Sequence, residues 1–324
     1  MRLRQGHAMD IFFAIAVNCV WGLAFVIPTN LTGVDSAAVA LGRYFIYGIL
    51  SAGILLVATR QVRFGQIHWF RAFAYAFLGH VGYYIVLVWA ISLGGVMVVA
   101  PIMATLPVSV AITGNLLSKE LSFKRLILPL LFILAGIAYL RVYQNSHFTS
   151  HGIQPDDMIY GALLAVAALA MWTMYAVLNA RYLKRSQVSS VAWAQAMGFC
   201  CLLQVALVIS IRPFFYEQPG NLFSWANDYE LAIKFALGIV ILGVLVSWAS
   251  TQVWNKVSRK LPITVSGQLL VVQSLAAILY DSWLDGQAPQ PIEMACIALV
   301  VVGVVWGVKS VYEPRPEPLA HRDA

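Results

Sequence analysis

The sequence predicts an all-α integral membrane protein with ten transmembrane helices, arranged as two inverted five-helix repeats. Three observations predict this. Apolar residues make up 60% of the chain and charged ones 11%, where soluble domains run nearer 45–50% and about 25%. Apolar runs of bilayer length recur ten times. The loops joining those runs alternate between basic and non-basic.

The 324 residues have a mean hydropathy of +0.78. That leaves too little polar surface to cover two soluble domains, so the bilayer is the solvent for most of the chain. The net charge of +7 lies in short clusters between apolar runs rather than along one face, a pattern of membrane topology and not of nucleic-acid binding. Cys19, Cys200, Cys201 and Cys296 all fall inside apolar runs, without zinc spacing, and read as small packing residues. No metal or cofactor is expected. The basic N-terminus precedes the run Ile11–Leu31, which lacks a small-x-small cleavage site and reads as a first spanning helix rather than a signal peptide.

The ten runs are 11–31, 38–58, 71–93, 96–117, 126–143, 159–180, 189–211, 234–255, 263–281 and 292–311. Only Leu93-Gly94-Gly95 divides the third from the fourth, and a Gly-Gly pair permits a tight reversal there. With the N-terminus in the cytoplasm, the inner segments hold Arg2, Arg4, Arg60, Arg63, Arg71, Lys119, Lys124, Arg125, Arg181, Lys184, Arg185, Lys256, Arg259, Lys260, Lys309, Arg315 and Arg322. The outer segments hold Arg141, Arg212 and Lys234, and Arg43 lies within a span. Basic residues collect on the cytoplasmic side, so this bias places both termini in the cytoplasm of a multi-pass inner-membrane protein.

Residues 10–143 form the first expected repeat and 158–311 the second, with a Pro-rich, charged and disordered cytoplasmic tail at 312–324. Trp21 in NCVWGLAFVIP and Trp172 in ALAMWTMYAVLN open the two sets of five. Five is odd, so the second set is inverted in the membrane. The linker SLGGVM is uncharged where its counterpart NKVSRKLP is basic, and SKELSFKR is basic where DSWLDGQAPQPIE is acidic. Many transporters build two access states around a midplane site from inverted repeats.

Polar groups at midplane depth face the bundle interior. Asn18 and Trp21 on the first helix and Trp172, Tyr175 and Asn179 on the sixth occupy matching faces, with Phe25 completing the first set. Packing residues are the alternative. His80 and Tyr84 pair at i, i+4, and His80 is either a substrate contact, a proton-responsive group or an interhelical hydrogen bonder. Trp248 and Gln252, and Gln268 and Gln273, are further solute contacts or interhelical bonders. The stretch APIMATLPV contributes Met103 and Pro107; Pro101 and Pro107 each free a carbonyl one turn back. Arg43 either snorkels to the outer interface or contacts an anion. Gly303 and Gly307 allow close helix approach, within the chain or across a dimer face; a monomer is the simpler expectation.

All fourteen carboxylates fall in loops or at helix ends, which argues against a proton antiporter of cationic drugs and for a neutral or zwitterionic solute. No Walker motif, HExxH, GxSxG or paired aspartates are present, so ATP hydrolysis and intramembrane catalysis find no machinery.

The Trp-containing first helix of each half, the GRYF opening of the second helix, APIMATLPV with its short SKE exit, and FILAGIAYL together resemble the EamA-domain branch of the drug/metabolite transporter superfamily. MWTMYAVLNARY and VSWASTQVWNKV are similar to bacterial aromatic amino acid exporters. The resemblance implies a central cavity lined by helices 1–4 and 6–9, helices 5 and 10 at the periphery, and export of amino acids or related metabolites. Efflux of lipophilic compounds is the alternative.

Overall fold

The computed structural model describes residues 5–31, 33–57, 66–119, 123–145, 155–211, 224–284, 286, 288 and 290–312. The centre of the expected interrepeat linker (146–154), residues 212–223 of the expected outer loop 212–233, and residues 313–324 of the expected tail lie outside the described residues. The described residues are all-helical, without a strand. In hydrocarbon every backbone N–H and C=O needs an internal partner, which helices supply within one segment.

The helices are α1 Gln5–Thr29, α2 Ser36–Val57, α3 Trp69–Gly79, α4 Val81–Ala104, α5 Leu106–Ser118, α6 Phe123–Asn145, α7 Pro155–Arg185, α8 Ser190–Ile211, α9 Tyr229–Ile241, α10 Ser250–Lys260, α11 Ile263–Leu269, α12 Val271–Leu284 and α13 Pro291–Tyr312. Nine stretches among the described residues are long and apolar enough to cross a membrane, each over one of the sequence-predicted runs. The remaining run, 126–143, falls on α6, a helix of 23 residues that is not among those nine. At 1.5 Å per residue α6 is about 34 Å long, sufficient for a hydrocarbon core of roughly 30 Å. The count of ten rests on reading α6 as a span.

Four of the predicted rods are not single helices. The third is α3 followed by the start of α4, interrupted at His80 (φ −131°, ψ −94°). Within α4 the chain reverses at Gly95 (φ 71°, ψ 164°), a left-handed conformation that glycine supplies without strain and the site of the expected reversal. The fourth rod is the end of α4 plus α5, interrupted at Thr105. Pro107 in the first turn of α5 explains that break: it has no N–H to donate, and its ring disfavours helical geometry just before it. The eighth is α9 and α10 joined by a π-helical stretch, Leu242–Ala249. The ninth is α11 and α12, joined at Leu270, where Leu270 N bonds Gly267 O at 3.1 Å in the tighter i→i−3 pattern.

Lipid gives no hydrophobic drive for helix association, so close approach at small residues does the work. The five most extensive helix contacts between residues before 146 and residues after 154 each contain a glycine. Gly22 of α1 rests on Ala276 of α12. Gly48 of α2 meets Leu202 of α8, whose Gly198 meets Ser51 and Tyr47. Gly94 of α4 faces Gly161 of α7. Gly114 of α5 meets Ile263 of α11, and Gly267 meets Ala111. Gly136 of α6 meets Val300 of α13, and Gly303 meets Ile133. Gly307 lies against Gln268, so both glycines of the GxxxG on α13 are used within the chain. The α6–α13 pair flanks the bundle, leaving the remaining helices around the centre.

Candidate functional site

Two of the interruptions, at His80 and at the π stretch, meet one aromatic string. Trp21 of α1 lies 5.0 Å from Trp254 and 6.4 Å from Trp172, ring to ring. Trp172 continues to Tyr175 at 5.8 Å, and Tyr175 to His80 at 5.3 Å. His80 contacts Tyr44 at 5.8 Å and Tyr47 at 5.9 Å, and Tyr44 lies 6.4 Å from Tyr84. Arg43 closes the string, its Cζ 5.3 Å from the Tyr44 ring centre.

Local backbone geometry places these groups. The break at His80 turns the imidazole among three tyrosines, and Tyr175 comes against the bare backbone of Gly79. The wider π turn lets its groups serve as acceptors: Trp21 Nε1–H donates to Val246 O at 2.9 Å, Ser250 Oγ–H to Leu245 O at 2.8 Å, and Arg43 Nε–H to Ser247 Oγ at 2.7 Å. π stretches inside α-helices are frequent at functional sites. Thr105 at the fourth-rod break folds its hydroxyl back to Ile102 O, while Ser109 and Thr173 share a 2.8 Å hydrogen bond between α5 and α7.

The remaining candidates divide. Asn179 is buried in a separate network, where its Nδ2 donates to Asn255 Oδ1 at 2.9 Å and its Oδ1 accepts from Trp193 Nε1 at 2.7 Å. Trp248 Nε1 donates to Gln195 Oε1 at 3.1 Å, and Gln252 Nε2 reaches only Trp248 O at 3.4 Å. Asn18 is fully buried and donates to Ala14 O, leaving its Oδ1 without a hydrogen-bond partner. Gln268 points to α13 rather than to the string, and neither of its amide atoms has a hydrogen-bond partner. Gln273 and Met103 are half-buried on α12 and α4, and Pro107 is buried at the start of α5. Phe25 is exposed.

Residues 8–142 match the family described as the EamA-like transporter family. Over this stretch the chain is similar to the EamA-like transporters. Over 309 residues it is 28% identical to "Inner membrane protein YtfF" of Escherichia coli (strain K12), covering 93% of this chain and 95% of that one. A solved crystal structure matches with a TM-score of 0.73 at 19% identity, covering 95% of this chain and 98% of the other, which shows a shared fold.

Several residues of this site were not singled out from sequence, though a spacing signal for them exists. Tyr44, Tyr47 and Ser51 repeat at i, i+3, i+7 on α2 and are all buried. Ser247, Thr251, Trp254 and Ser258 repeat at i, i+4, i+7, i+11 and are likewise buried. Trp193 and Gln195 lie in an apolar helix buried all round its first half, where periodicity carries no signal.

The lining helices differ between their two ends. At the end carrying Lys119, Arg185 and Lys260, α5 packs on α11, and Leu183, Trp193, Leu261, Ile263, Val265 and Leu269 are shut away. Asp10 Oδ1 and Lys260 Nζ close to 3.0 Å there, and Arg259 Nη2 donates to Val188 O. At the other end α4 and α12 share at most a marginal contact among the described residues, and Tyr83, Tyr84, Met103 and Gln273 are only half-buried.

Proposed function

We propose that this EamA-like transporter exports small neutral or zwitterionic metabolites, amino acids foremost, across the inner membrane, by alternating access between two inverted five-helix halves. The observation that carries this reading is the meeting of two interrupted rods, at His80 and at the π stretch, on the Trp21–Trp172–Tyr175–His80–Tyr44 string, with no described carboxylate in it. Irregular backbone at membrane depth is tolerated where it is buried in protein or lines a path.

The contact pattern supports two related halves. Exchanging the first five rods for the second five turns the α1–α12 contact into the α4–α7 contact, and the α3–α8 contact into the one between α2 and the π stretch. It maps α2–α8, α5–α11 and α6–α13 onto themselves. The interrupted rods also exchange in pairs, third with eighth and fourth with ninth. With both termini cytoplasmic, the packed end is the inner one, and this conformation is outward-facing. Buried polar atoms left without hydrogen-bond partners, Asn18 Oδ1, His80 Nε2 and Gln195 Nε2, favour a polar solute over a purely lipophilic one.

The aromatic string favours the second reading, efflux of lipophilic compounds. Purified protein in liposomes, preloaded with unlabelled neutral amino acids and offered the labelled ones, separates the two. Counterflow of amino acids is expected. Uptake of a lipophilic dye with no amino acid counterflow selects the second reading.

A further inference from the structure

We propose that Arg43 is the carboxylate-binding residue of the transport site, so that the solute carries a carboxylate; this rests on the transport reading above. By position alone Arg43 reads as a snorkelling residue, because it lies seven residues, about 10 Å, into α2. A snorkelling guanidinium runs along its own helix towards the interface. This one is fastened across the bundle instead. Its Nε–H donates to Ser247 Oγ at 2.7 Å, and Ser247 belongs to the π stretch that also accepts the Trp21 indole N–H. Gly243 of the same stretch lies against Ile46 and the Arg43 carbonyl, so α2 and the π turn touch backbone to backbone.

Fixing Nε leaves the far edge of the guanidinium. Arg has five N–H donors, and four of them sit on Nη1 and Nη2, in the planar fork that matches the two oxygens of a carboxylate. Among the described residues neither Nη has a protein hydrogen-bond partner, and the ion pairs are Lys234 with Glu230 and Lys260 with Asp10, none involving Arg43. A cation held inside a bundle without an anion is costly, and a protein normally supplies one. The second observation is also beside Tyr44. His80 is 8% exposed, lies 5.8 Å from the Tyr44 ring, and its Nε2 has no hydrogen-bond partner. Arg43, Tyr44, His80 and Tyr84 therefore form one cluster with a fixed cation and an unmatched imidazole nitrogen beside it. A solute carboxylate supplies the missing anion. The ammonium of a zwitterion would then face the Trp21, Trp172 and Trp254 rings, whose faces attract cations.

The test uses the full chain in detergent and reads thermal stabilisation by phenylalanine, phenylpropionate and phenylalaninamide, in the wild type, R43Q, R43K and S247A. Both carboxylates are expected to stabilise the wild type at millimolar concentration, and the amide is not. R43Q should weaken carboxylate binding at least about tenfold, since a charge-assisted bidentate pair is lost. R43K keeps the charge without the fork and should fall between. S247A frees the guanidinium and should weaken carboxylate binding several-fold; it answers the question if R43Q does not give monodisperse protein. Stabilisation by phenylpropionate but not phenylalanine supports the role of Arg43 and overturns the amino acid reading. Equal stabilisation by phenylalanine and its amide, unchanged in R43Q, overturns the role of Arg43 and leaves the amino acid reading standing. No stabilisation of the wild type by either carboxylate overturns the proposal.

Discussion

The two ends of the fourth and ninth rods behave as different materials. At the basic end α5 and α11 are in glycine-mediated contact, with Gly114 against Ile263 and Gly267 against Ala111. At the other end α4 and α12 part, and each instead packs on the opposite half, α4 on α7 and α12 on α1. The same two rods manage both because each is interrupted midway, at Thr105 and Leu270. Their halves need not move together. Packed interfaces are bistable rather than continuously deformable, so a rod broken at its centre allows one end to close while the other opens.

The largest effect is expected where the packed end is tightest. A Cβ at Gly267 would lie 2.7 Å from the Ala111 backbone nitrogen, which cannot step aside. Gly267→Val should destabilise the chain by about 1–3 kcal/mol and abolish transport. Gly53, with nothing within 4 Å of its Cβ position, provides the control: Gly53→Ala should leave stability within about 1 kcal/mol of the wild type or slightly above it. Equal thermal unfolding of the two variants would mean that the basic end is not closely packed.

Access distinguishes the ends next. In a Cys19→Ser background, which removes the one free cysteine that is not buried, Met103→Cys and Gln273→Cys should react with an impermeant thiol reagent added from outside, and Val265→Cys should not. Reaction of Val265→Cys alone would reverse the assignment of the open end.

Trp21 joins both ends, hydrogen-bonding the π turn while its ring meets Trp172 and Trp254. Removing the indole forfeits one hydrogen bond of about 1 kcal/mol and two aromatic contacts of about 0.5–1.5 kcal/mol each. Trp21→Ala should lower transport roughly tenfold or more with expression intact, and Trp172→Ala somewhat less, since its indole is held by ring contacts to Trp21 and Tyr175. Normal transport by both would make them packing residues.

His80 has a smaller part. With aromatic neighbours and no acidic one among its ring contacts, it has no proton relay to belong to. His80→Gln should keep transport at a rate a few-fold lower. An imposed pH gradient without a solute gradient should not drive accumulation in liposomes; accumulation that disappears in His80→Gln would make it the coupling residue.

Apolar run length and loop charge made the helix positions readable, since a span is set by a solvent of fixed thickness. They could not reveal the interruptions. Leu270 has no proline or glycine at the break itself, and the π turn at Leu242–Ala249 is an apolar run like any other, because backbone pattern there is decided by what packs against it. The site was legible in part. Trp21, Trp172, Tyr175 and His80 meet as their shared helical faces implied, because periodicity fixes a face. Asn179 obeys the same periodicity yet is taken up by Asn255 and Trp193, since a face does not specify depth or which neighbour arrives there. The hydrogen bond from Arg43 to Ser247 was not legible, because the two residues are 204 positions apart.

The smallest effect is expected at the rim of the packed end. Asp10 and Lys260 join the first rod to the eighth at 3.0 Å, with side chains 11% and 53% exposed. Such a pair sits in high dielectric on one side and contributes about 0–1 kcal/mol. On the alternating-access proposal it holds only while this end is closed, and so adds to the closed-inside population. Asp10→Asn should therefore shift the balance towards inward opening by at most about fivefold, the factor that 1 kcal/mol corresponds to. The reporter is the labelling rate of Val265→Cys from the inner side, which should rise in Asp10→Asn. High salt should raise the same rate in Asp10-containing protein and have little further effect on Asp10→Asn, because screening and neutralisation remove one and the same attraction. A rate that neither change alters would show that the glycine contacts of α5 and α11 hold this end closed without the ion pair.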